Sequence, residues 1–444
     1  MFFNSILTIF QKIFAQIYKK SFVLKNLDSL IFVNIIFIIL FSLFSPSDSI
    51  GYFAIFAIVL TAIKLLVKPN ERFSFTLADK FLLVYFMVVL ISVAGSSLLF
   101  LSIKGFCKTL IYIGFYISFI HYLKDNRGKL KYVLLALAFA CFAESLVAIK
   151  QNFLSIPEIS GWQDMSRLNP EQIMTRVYGS IKPYNPNLFG GYMLAILPSS
   201  LVLVFLPLIN KHYKTATCGL ICFLLGVATI LMTGCRGAYI GLLIELLLVA
   251  ILTYKFLKPV YKRFFLTISS FISFLAILFI ISKASLRTRI LSIFAMRSDS
   301  SNSFRFNVYN SCIDMFKDNW LLGIGVGNQN FREIYGLYMK TGFDALSAYN
   351  IYLETAVESG IFALLAFVTF IGFNISSAIR YIKRKNNVNS IYLAIAVISL
   401  LGILIHGFVD TVFFRPQIQF VFWMMIGIIR VLTTPWGIYD RKRN

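Results

Sequence analysis

Acidic side chains are scarce in this sequence. Only 19 Asp and Glu stand against 42 Lys and Arg in 444 residues, and histidine occurs three times, at His121, His212 and His406. In a soluble chain the formal charge of +23 would point to nucleic acid. The hydropathy pattern removes that reading, and no nucleic-acid partner is expected. Cysteine supplies no extracellular disulfide framework: of six, Cys107, Cys141, Cys218 and Cys222 fall within apolar runs, Cys235 at the end of one, and Cys312 alone in a long polar loop. Cys218 and Cys222 share a helical face, but no His or carboxylate stands near them in sequence, so packing rather than a metal is expected. No compact apolar core precedes a small-residue cleavage site, which argues against a signal peptide. No internal repeat, inverted repeat or low-complexity tract is present, which weighs against an alternating-access transporter.

What is abundant is apolar residue, 58% of the chain, in blocks long enough to span a bilayer as helices of about 20 residues. Twelve spans are predicted, at about 28–44, 50–67, 81–101, 105–123, 131–149, 187–208, 215–233, 237–256, 264–282, 358–379, 391–409 and 417–433. The fold class expected is an all-α polytopic membrane protein. Basic residues gather in alternate loops, such as Lys124, Arg127, Lys129 and Lys131, or Arg380, Lys383, Arg384 and Lys385. Cations accumulate on the cytoplasmic side, so both termini are predicted cytoplasmic. Residues 1–27 carry Phe3, Ile6, Leu7, Phe10, Ile13, Phe14 and Ile17 at helical spacing among lysines, the pattern of an amphipathic helix at the membrane surface. Residues 434–444 form a basic cytoplasmic tail.

Two long loops, 150–186 and 283–357, are then outward facing and available for water-borne chemistry. The first carries Pro157, Gly161, Pro170, Pro183 and Pro186 and ends in RVYGSIKPYNPNLFGGYM, Arg176 to Met193, where turn signals run into a helix start. The second has Phe306, Tyr309, Ile313 and Phe316 at helical spacing, so short amphipathic helices against the membrane are expected. Its LLGIGVGNQNF, 321–331, has a nucleotide-loop look, but no strand precedes it; a flexible turn between amphipathic helices suffices.

Arg236 sits between two apolar runs, flanked by Gly234 and Gly237. A guanidinium inside a bilayer costs about 2.5–3.5 kcal/mol on insertion scales, so either it snorkels to the interface or it serves an anion site. Arg176, Lys182, Arg305 and Arg415 are predicted on the same face, and arginines converging on one pocket hold phosphate in a bidentate manner. Lys108 lies within a span a turn from that face, and either snorkels or pairs with phosphate. Asn350, Glu354 and Glu358, at i, i+4 and i+8, form one helical stripe, read either as acid–base groups or as a solvated helix start. His406 and Asp410 stand one turn apart at a span end, as a functional pair or a fastening between helices. Glu144 and Glu245 read first as interhelical fasteners.

Five separated motifs carry a family resemblance. TGCRGA at 233–238, FRFNVYNSCIDMFKDNWLLGIGVGNQNF at 304–331 and SAYNIYLETAVESGI at 347–361 resemble the O-antigen ligase and polymerase superfamily. PYNPNLFGGYMLAILP at 183–198 and HGFVDTVFFRPQIQF at 406–420 resemble one branch of it, described as inorganic-carbon (bicarbonate) transporters. The resemblance runs over about 176–425; before that the chain is similar only in hydropathy. It implies about twelve membrane helices in a GT-C-like arrangement, with a large extracytoplasmic loop of short amphipathic helices covering a cavity. It also implies transfer of glycan from undecaprenyl pyrophosphate to a glycan or lipid acceptor in the bacterial inner membrane, without metal or cofactor.

On that resemblance Arg236 and Arg305 would neutralise the departing pyrophosphate. Arg176, Lys182, Arg415 and Lys108 would assist, and the catalytic candidates are Tyr349, Asn350, His406 and Asp410. The departure is Tyr349, where ligases of the superfamily carry histidine. Tyrosine titrates near 10 and is a poor base at neutral pH. On the expected topology His406 is the one histidine on the outer side. The alternative that the branch implies is a transporter of bicarbonate or another small anion.

Overall fold

The structure is a computed structural model and describes residues 2–73, 75–154 and 174–434. Pro157, Gly161, Pro170 and the expected basic tail beyond Thr434 lie outside the described residues. Helices account for all regular structure among them. In chain order these are α1 (Phe2–Lys20), α2 (Phe22–Lys25), α3 (Leu27–Phe41), α4 (Ser47–Val67), α5 (Leu77–Ala94) and α6 (Leu99–Asp125). Next come α7 (Leu130–Phe153), α8 (Pro186–Ile196), α9 (Val202–Ile209), α10 (Tyr213–Met232), α11 (Arg236–Phe256) and α12 (Pro259–Ser282). The last are α13 (Ala284–Leu291), α14 (Ser300–Asp318), α15 (Asn328–Tyr335), α16 (Ile351–Arg384), α17 (Val388–His406) and α18 (Pro416–Thr433).

The protein is an all-α polytopic membrane protein. Among the described residues 11 helices are long and apolar enough to cross a membrane, counting α8 and α9 as one span. The sequence predicted twelve. The difference is the first segment, which forms α3, of 15 residues. At 1.5 Å per residue α3 reaches about 22 Å, short of the roughly 30 Å hydrocarbon core. Between α8 and α9 the span tightens into a 3-10 turn over Leu197–Leu201, where Pro198 has no N–H to donate to the α-helical ladder.

α17 and α18 form the centre of the bundle, with nearly every side chain buried. Around them, α17 packs on α11, α16 and α8, and α18 on α6. The C-terminal end of α17 therefore meets the N-terminal ends of α11 and α8 at one end of the bundle. By contrast α12 has no buried residue and stands at the edge. At the other end, buried Lys64 joins α3, α4 and α6 by pairing with Asp28 at 2.7 Å and Asp125 at 3.0 Å. There α1 lies on α4, its Gln11 amide donating to the Leu65 and Glu71 carbonyls at 2.9 and 2.8 Å.

α14, α15 and the loops around them cap the first end. Val308, Cys312, Met315, Phe331, Tyr335 and Val357 close a small core of their own. α16 is broken at Gly360, with φ 77° and ψ 177°, and the glycine-rich segment enters the break. Ile324 and Gly325 donate their N–H groups to the carbonyls of Val357 and Glu358 at 3.0 and 2.9 Å, and Ile361 donates to Trp320 at 2.9 Å. Ser92 and Ser96 of the α5 end donate to Glu358 and Ile324 carbonyls, both at 2.8 Å. The Val357 and Glu358 carbonyls and the Ile361 N–H at the break thus find partners, as a nonpolar surrounding demands.

This corrects two sequence expectations. LLGIGVGNQNF is a packed plug, not a flexible turn: a side chain at Gly325 would strike Ser96. Glu354 and Glu358 are not at a solvated helix start. Both are buried, Glu354 accepting from the Ala348 N–H at 2.8 Å and Glu358 from the Gly327 N–H at 2.9 Å. Glu358 thus fastens the plug at Gly327, and Glu354 fastens the loop leading into α16 at Ala348.

Gly360 is the position where this arrangement admits no other residue, since a Cβ there would collide with the Leu321 carbonyl. Gly360→Ala is expected to destabilise by about 1–3 kcal/mol or more, the scale of strain in a glycine-only region. A thermal melt in detergent measures it; an unchanged midpoint would contradict the plug.

Candidate functional site

The site begins with the turn between α10 and α11. Gly234 takes φ 63°, and the Thr233 hydroxyl accepts from the Cys235 N–H at 3.1 Å, so the chain reverses within three residues. Arg236 then opens α11, where orphan N–H groups and the helix dipole already favour an anion. Its guanidinium is 9% exposed and pairs with Asp299 at 2.8 Å, with a second contact to the Ser292 hydroxyl at 3.3 Å. Asp299 is in turn the N-cap of α14, accepting from the Asn302 N–H at 3.0 Å. Arg236 thus ties the segment leading out of α12 onto the bundle.

One turn along α14, Arg305 points back to the same region. It pairs with Asp410 at 3.5 Å, lies over the Tyr349 ring at 5.5 Å, and donates to the Ser301 hydroxyl at 2.9 Å. Its Nε is buried and has no hydrogen-bond partner among the described residues. Arg176 donates from Nε to the Thr233 carbonyl at 2.8 Å and from Nη2 to the Asn187 amide oxygen at 2.5 Å. Asn187 passes the contact on, its Nδ2 donating to Asp410 at 3.1 Å. Arg289 of α13 donates to the Gly234 carbonyl at 2.7 Å.

These groups surround a cavity of about 200 Å³ between the cap and the ends of α8, α11 and α17. Four arginines line it, Arg176, Arg236, Arg289 and Arg305, together with His406 and Asp410. Against the four guanidiniums stand two carboxylates, Asp410 and the Asp299 paired to Arg236, which leaves an excess of two positive charges. Burial and then the nearby Arg289 lower Arg176 to about 10, so it still carries its charge at neutral pH. Such an enclosed positive cavity is suited to an oxyanion of charge minus two or more.

The residues singled out from sequence divide. Arg236, Arg305, Arg176, His406 and Asp410 converge on the cavity. Lys182, Arg415 and Lys108 do not line it: all three are exposed, Lys182 before Pro183, Arg415 at the start of α18, and Lys108 on α6. Asn350 is the N-cap of α16, its side-chain oxygen accepting from the Tyr352 and Leu353 N–H groups while Nδ2 donates to the Phe408 carbonyl at 3.1 Å. Tyr349 lies beneath Arg305, and burial, then the Asp410 charge, raise its hydroxyl above the usual tyrosine value. His406 and Asp410 are not joined to each other in the way their spacing suggested. Asp410 is held by Asn187, Arg305 and the N–H groups of Thr411 and Val412, while His406 Nε2 meets the Cys235 sulfur at 3.4 Å.

Sequence reasoning missed Asp299, Arg289, Ser292 and Asn187. Asp299 was within reach, since Asp followed by Ser300, Ser301 and Asn302 is a helix-start signal. Asn187 follows Pro186 in the first turn of α8, where only the fold reveals what its amide faces.

The span bundle with its arginine-lined cavity under a helical cap is that of a polytopic membrane protein. Residues 221–368 match the family model described as O-antigen ligase, and this region is accordingly of the O-antigen ligase and polymerase superfamily. The match contains Arg236, Arg305, Tyr349 and Asn350, and supports a membrane glycan ligase or polymerase in general; it does not single out the transporter branch. The chain is also 23% identical over 376 residues to an uncharacterized protein of Haemophilus influenzae, covering 80% of this chain and 86% of that protein.

The Arg236–Asp299 pair has a pH signature. Burial works against ionisation of Asp299, but Arg236 and the Asn302 N–H together hold its carboxyl below the usual value of 3.8. A lowered folded value adds stability above the unfolded value, and this is lost as pH falls through the folded one. The protein is therefore expected to melt higher than Asp299→Asn at pH 7 and 5, with the difference shrinking below pH 3.8. A constant difference across that range would count against the pair.

Proposed function

We propose that the protein transfers an oligosaccharide from undecaprenyl pyrophosphate to a glycan or lipid acceptor. The reaction takes place at the outer face of the bacterial inner membrane, with both chain termini in the cytoplasm. The observation that carries this reading is the convergence of Arg236 and Arg305 on one cavity, with the Nε of Arg305 buried and unpartnered. An unmet guanidinium donor in a cavity with surplus positive charge asks for an oxyanion.

The chemistry follows from the charges. The acceptor hydroxyl oxygen attacks the anomeric carbon of the donor sugar, and the bond from that carbon to the carrier's diphosphate oxygen breaks. Negative charge grows on the departing diphosphate, and preorganised guanidiniums in a site shielded from water stabilise that charge more than they stabilise the bound donor. The hydroxyl proton needs a base. His406 lines the cavity and serves as that base. Tyr349 does not, because a hydroxyl raised above the usual tyrosine value stays protonated at neutral pH and offers even less phenolate to accept a proton than free tyrosine does. Its ring instead supports Arg305 from below, a cation–π contact that orients the fork. Asp299 and Asp410 hold Arg236 and Arg305 until the diphosphate takes their place.

The test uses purified protein in lipid vesicles with undecaprenyl-pyrophosphate-linked oligosaccharide and candidate acceptors, reading released carrier and extended glycan. Arg236→Ala should lower the rate by about 10²–10³-fold, the scale of losing one preorganised charge donor. Arg236→Lys should lose roughly tenfold or more, because lysine lacks the bidentate fork. His406→Ala should abolish the base contribution, about 10²-fold or more, whereas Tyr349→Phe should stay within about threefold. Carrier release that is indifferent to Arg236, or anion uptake into the vesicles with no carrier release, would overturn the reading.

A further inference from the structure

Two helix ends meet at the arginine cavity, and each brings a proton-bearing side chain that faces the other. His406 is the last residue of α17, and Cys235 is the N-cap of α11. The Cys235 sulfur stands 3.4 Å from His406 Nε2, within reach of a hydrogen bond to sulfur, and both residues line the cavity. Away from the cavity they are enclosed, Cys235 at 3% and His406 at 2% exposure. With His406 as the base, the group that its Nε2 meets is this thiol.

Packing holds the pair in place. The Cys235 N–H donates to the Thr233 hydroxyl at 3.1 Å, which donates in turn to the Ile230 carbonyl at 2.7 Å, so the turn fixes the direction of the thiol. α8 approaches both residues through adjacent glycines: a Cβ on Gly190 would lie 3.1 Å from the Cys235 Cβ, and one on Gly191 would lie 3.3 Å from His406 Cε1. On the other edge of the ring, a Cβ on Gly237 would lie 3.0 Å from His406 Cδ2. Packed on both edges, the imidazole keeps Nε2 on the sulfur.

The surroundings favour separation of charge within the pair. A helix N-terminus stabilises an anion and a C-terminus a cation, which puts the anionic partner at Cys235 and the cationic one at His406. Arg176 and Arg289 donate to the Thr233 and Gly234 carbonyls, at 2.8 and 2.7 Å, in the turn that carries Cys235. Thiols beside a helix N-terminus, an imidazole and guanidiniums are those that give up a proton readily.

We propose that Cys235 is a catalytic residue of the transfer reaction, touching the acceptor hydroxyl and working with His406 as one base. The hydroxyl proton passes to the sulfur while the proton shared between Sγ and Nε2 comes to rest on His406. The O–H bond breaks and the S–H bond is remade, leaving thiol and imidazolium as the acceptor oxygen closes on the anomeric carbon. This role rests on the transfer reading. The sharing of a proton between sulfur and imidazole does not.

Two measurements on the full chain in lipid test the pair and the role separately. The first is alkylation by iodoacetamide at pH 7, followed at Cys235 by peptide mass spectrometry, and it needs no glycan. Cys235 of wild type is expected to react roughly tenfold or more faster than in His406→Ala, because the thiolate is the reacting form. Equal rates would overturn the pair. The second is carrier release in vesicles by Cys235→Ala, His406→Ala and the double variant, with a thermal melt of each to confirm folding. Groups that act as one unit are not additive, so each single variant is expected to lose about 10²-fold and the double variant no more than about threefold beyond either. Affinity for undecaprenyl pyrophosphate should be unchanged in Cys235→Ala, which a merely structural loss at this turn would weaken. A folded Cys235→Ala that works at the wild-type rate, or losses that multiply in the double variant, would overturn the role of Cys235 and leave the transfer reading standing. Wild type that releases no carrier from any donor would overturn the transfer reading and the role together, whatever the alkylation rates.

Discussion

Burying several arginines at the end of a membrane bundle is the constraint to which the rest of the site answers. A lone guanidinium at that depth is costly, and each one here is met by something specific. Arg236 has Asp299, Arg305 has Asp410 and the Tyr349 ring, Arg176 has Asn187 and the Thr233 carbonyl, and Arg289 has the Gly234 carbonyl. These partners come from α8, from the turn before α11, from the start of α14 and from the turn after α17. The arginine cluster therefore fixes where the cap sits on the bundle. Among the described residues, Arg305 Nε is the buried guanidinium nitrogen of this cluster that has no hydrogen-bond partner.

The same logic explains the broken α16. A continuous helix would leave no route for the chain of 321–327, and an open loop at that depth would leave carbonyls and N–H groups unpaired. Gly360 opens the helix, Gly323, Gly325 and Gly327 let the plug come close, and Ser92 of α5, Ser96 just beyond it and the buried Glu358 supply partners for the break and the plug. The rigid plug then sets the register of α14 and α15, and through them the placement of Arg305.

Much of this was legible in the sequence. Long apolar runs separated by polar turns mark the spans because a bilayer demands length and continuity, and Arg236 is visible because a charge beside such runs is rare. Three of the six basic residues expected to converge do so, Arg236, Arg305 and Arg176, each on or beside an element that tertiary packing brings to the α17 end. Lys182, Arg415 and Lys108 share the expected face of the membrane but not the cavity, a distinction that hydropathy does not encode. Likewise Glu354 and Glu358 have the spacing of a solvated stripe, and only tertiary packing, with the plug on Glu358 and the loop at Ala348 on Glu354, makes them buried. The 15-residue α3 fell short of a span because its apolar run continues into Leu43 and Phe44 beyond the last helical turn.

The central claim is that the arginine cavity is made for a diphosphate that displaces Asp299 and Asp410. Its most direct measurement is the affinity of the protein in lipid nanodiscs for undecaprenyl pyrophosphate against undecaprenyl phosphate, which share a tail and differ by one phosphoryl group. The account predicts roughly tenfold or greater preference for the diphosphate, tighter binding still in Asp299→Asn, and loss of the preference in Arg305→Ala. Equal affinity for the two carriers in wild type would contradict it.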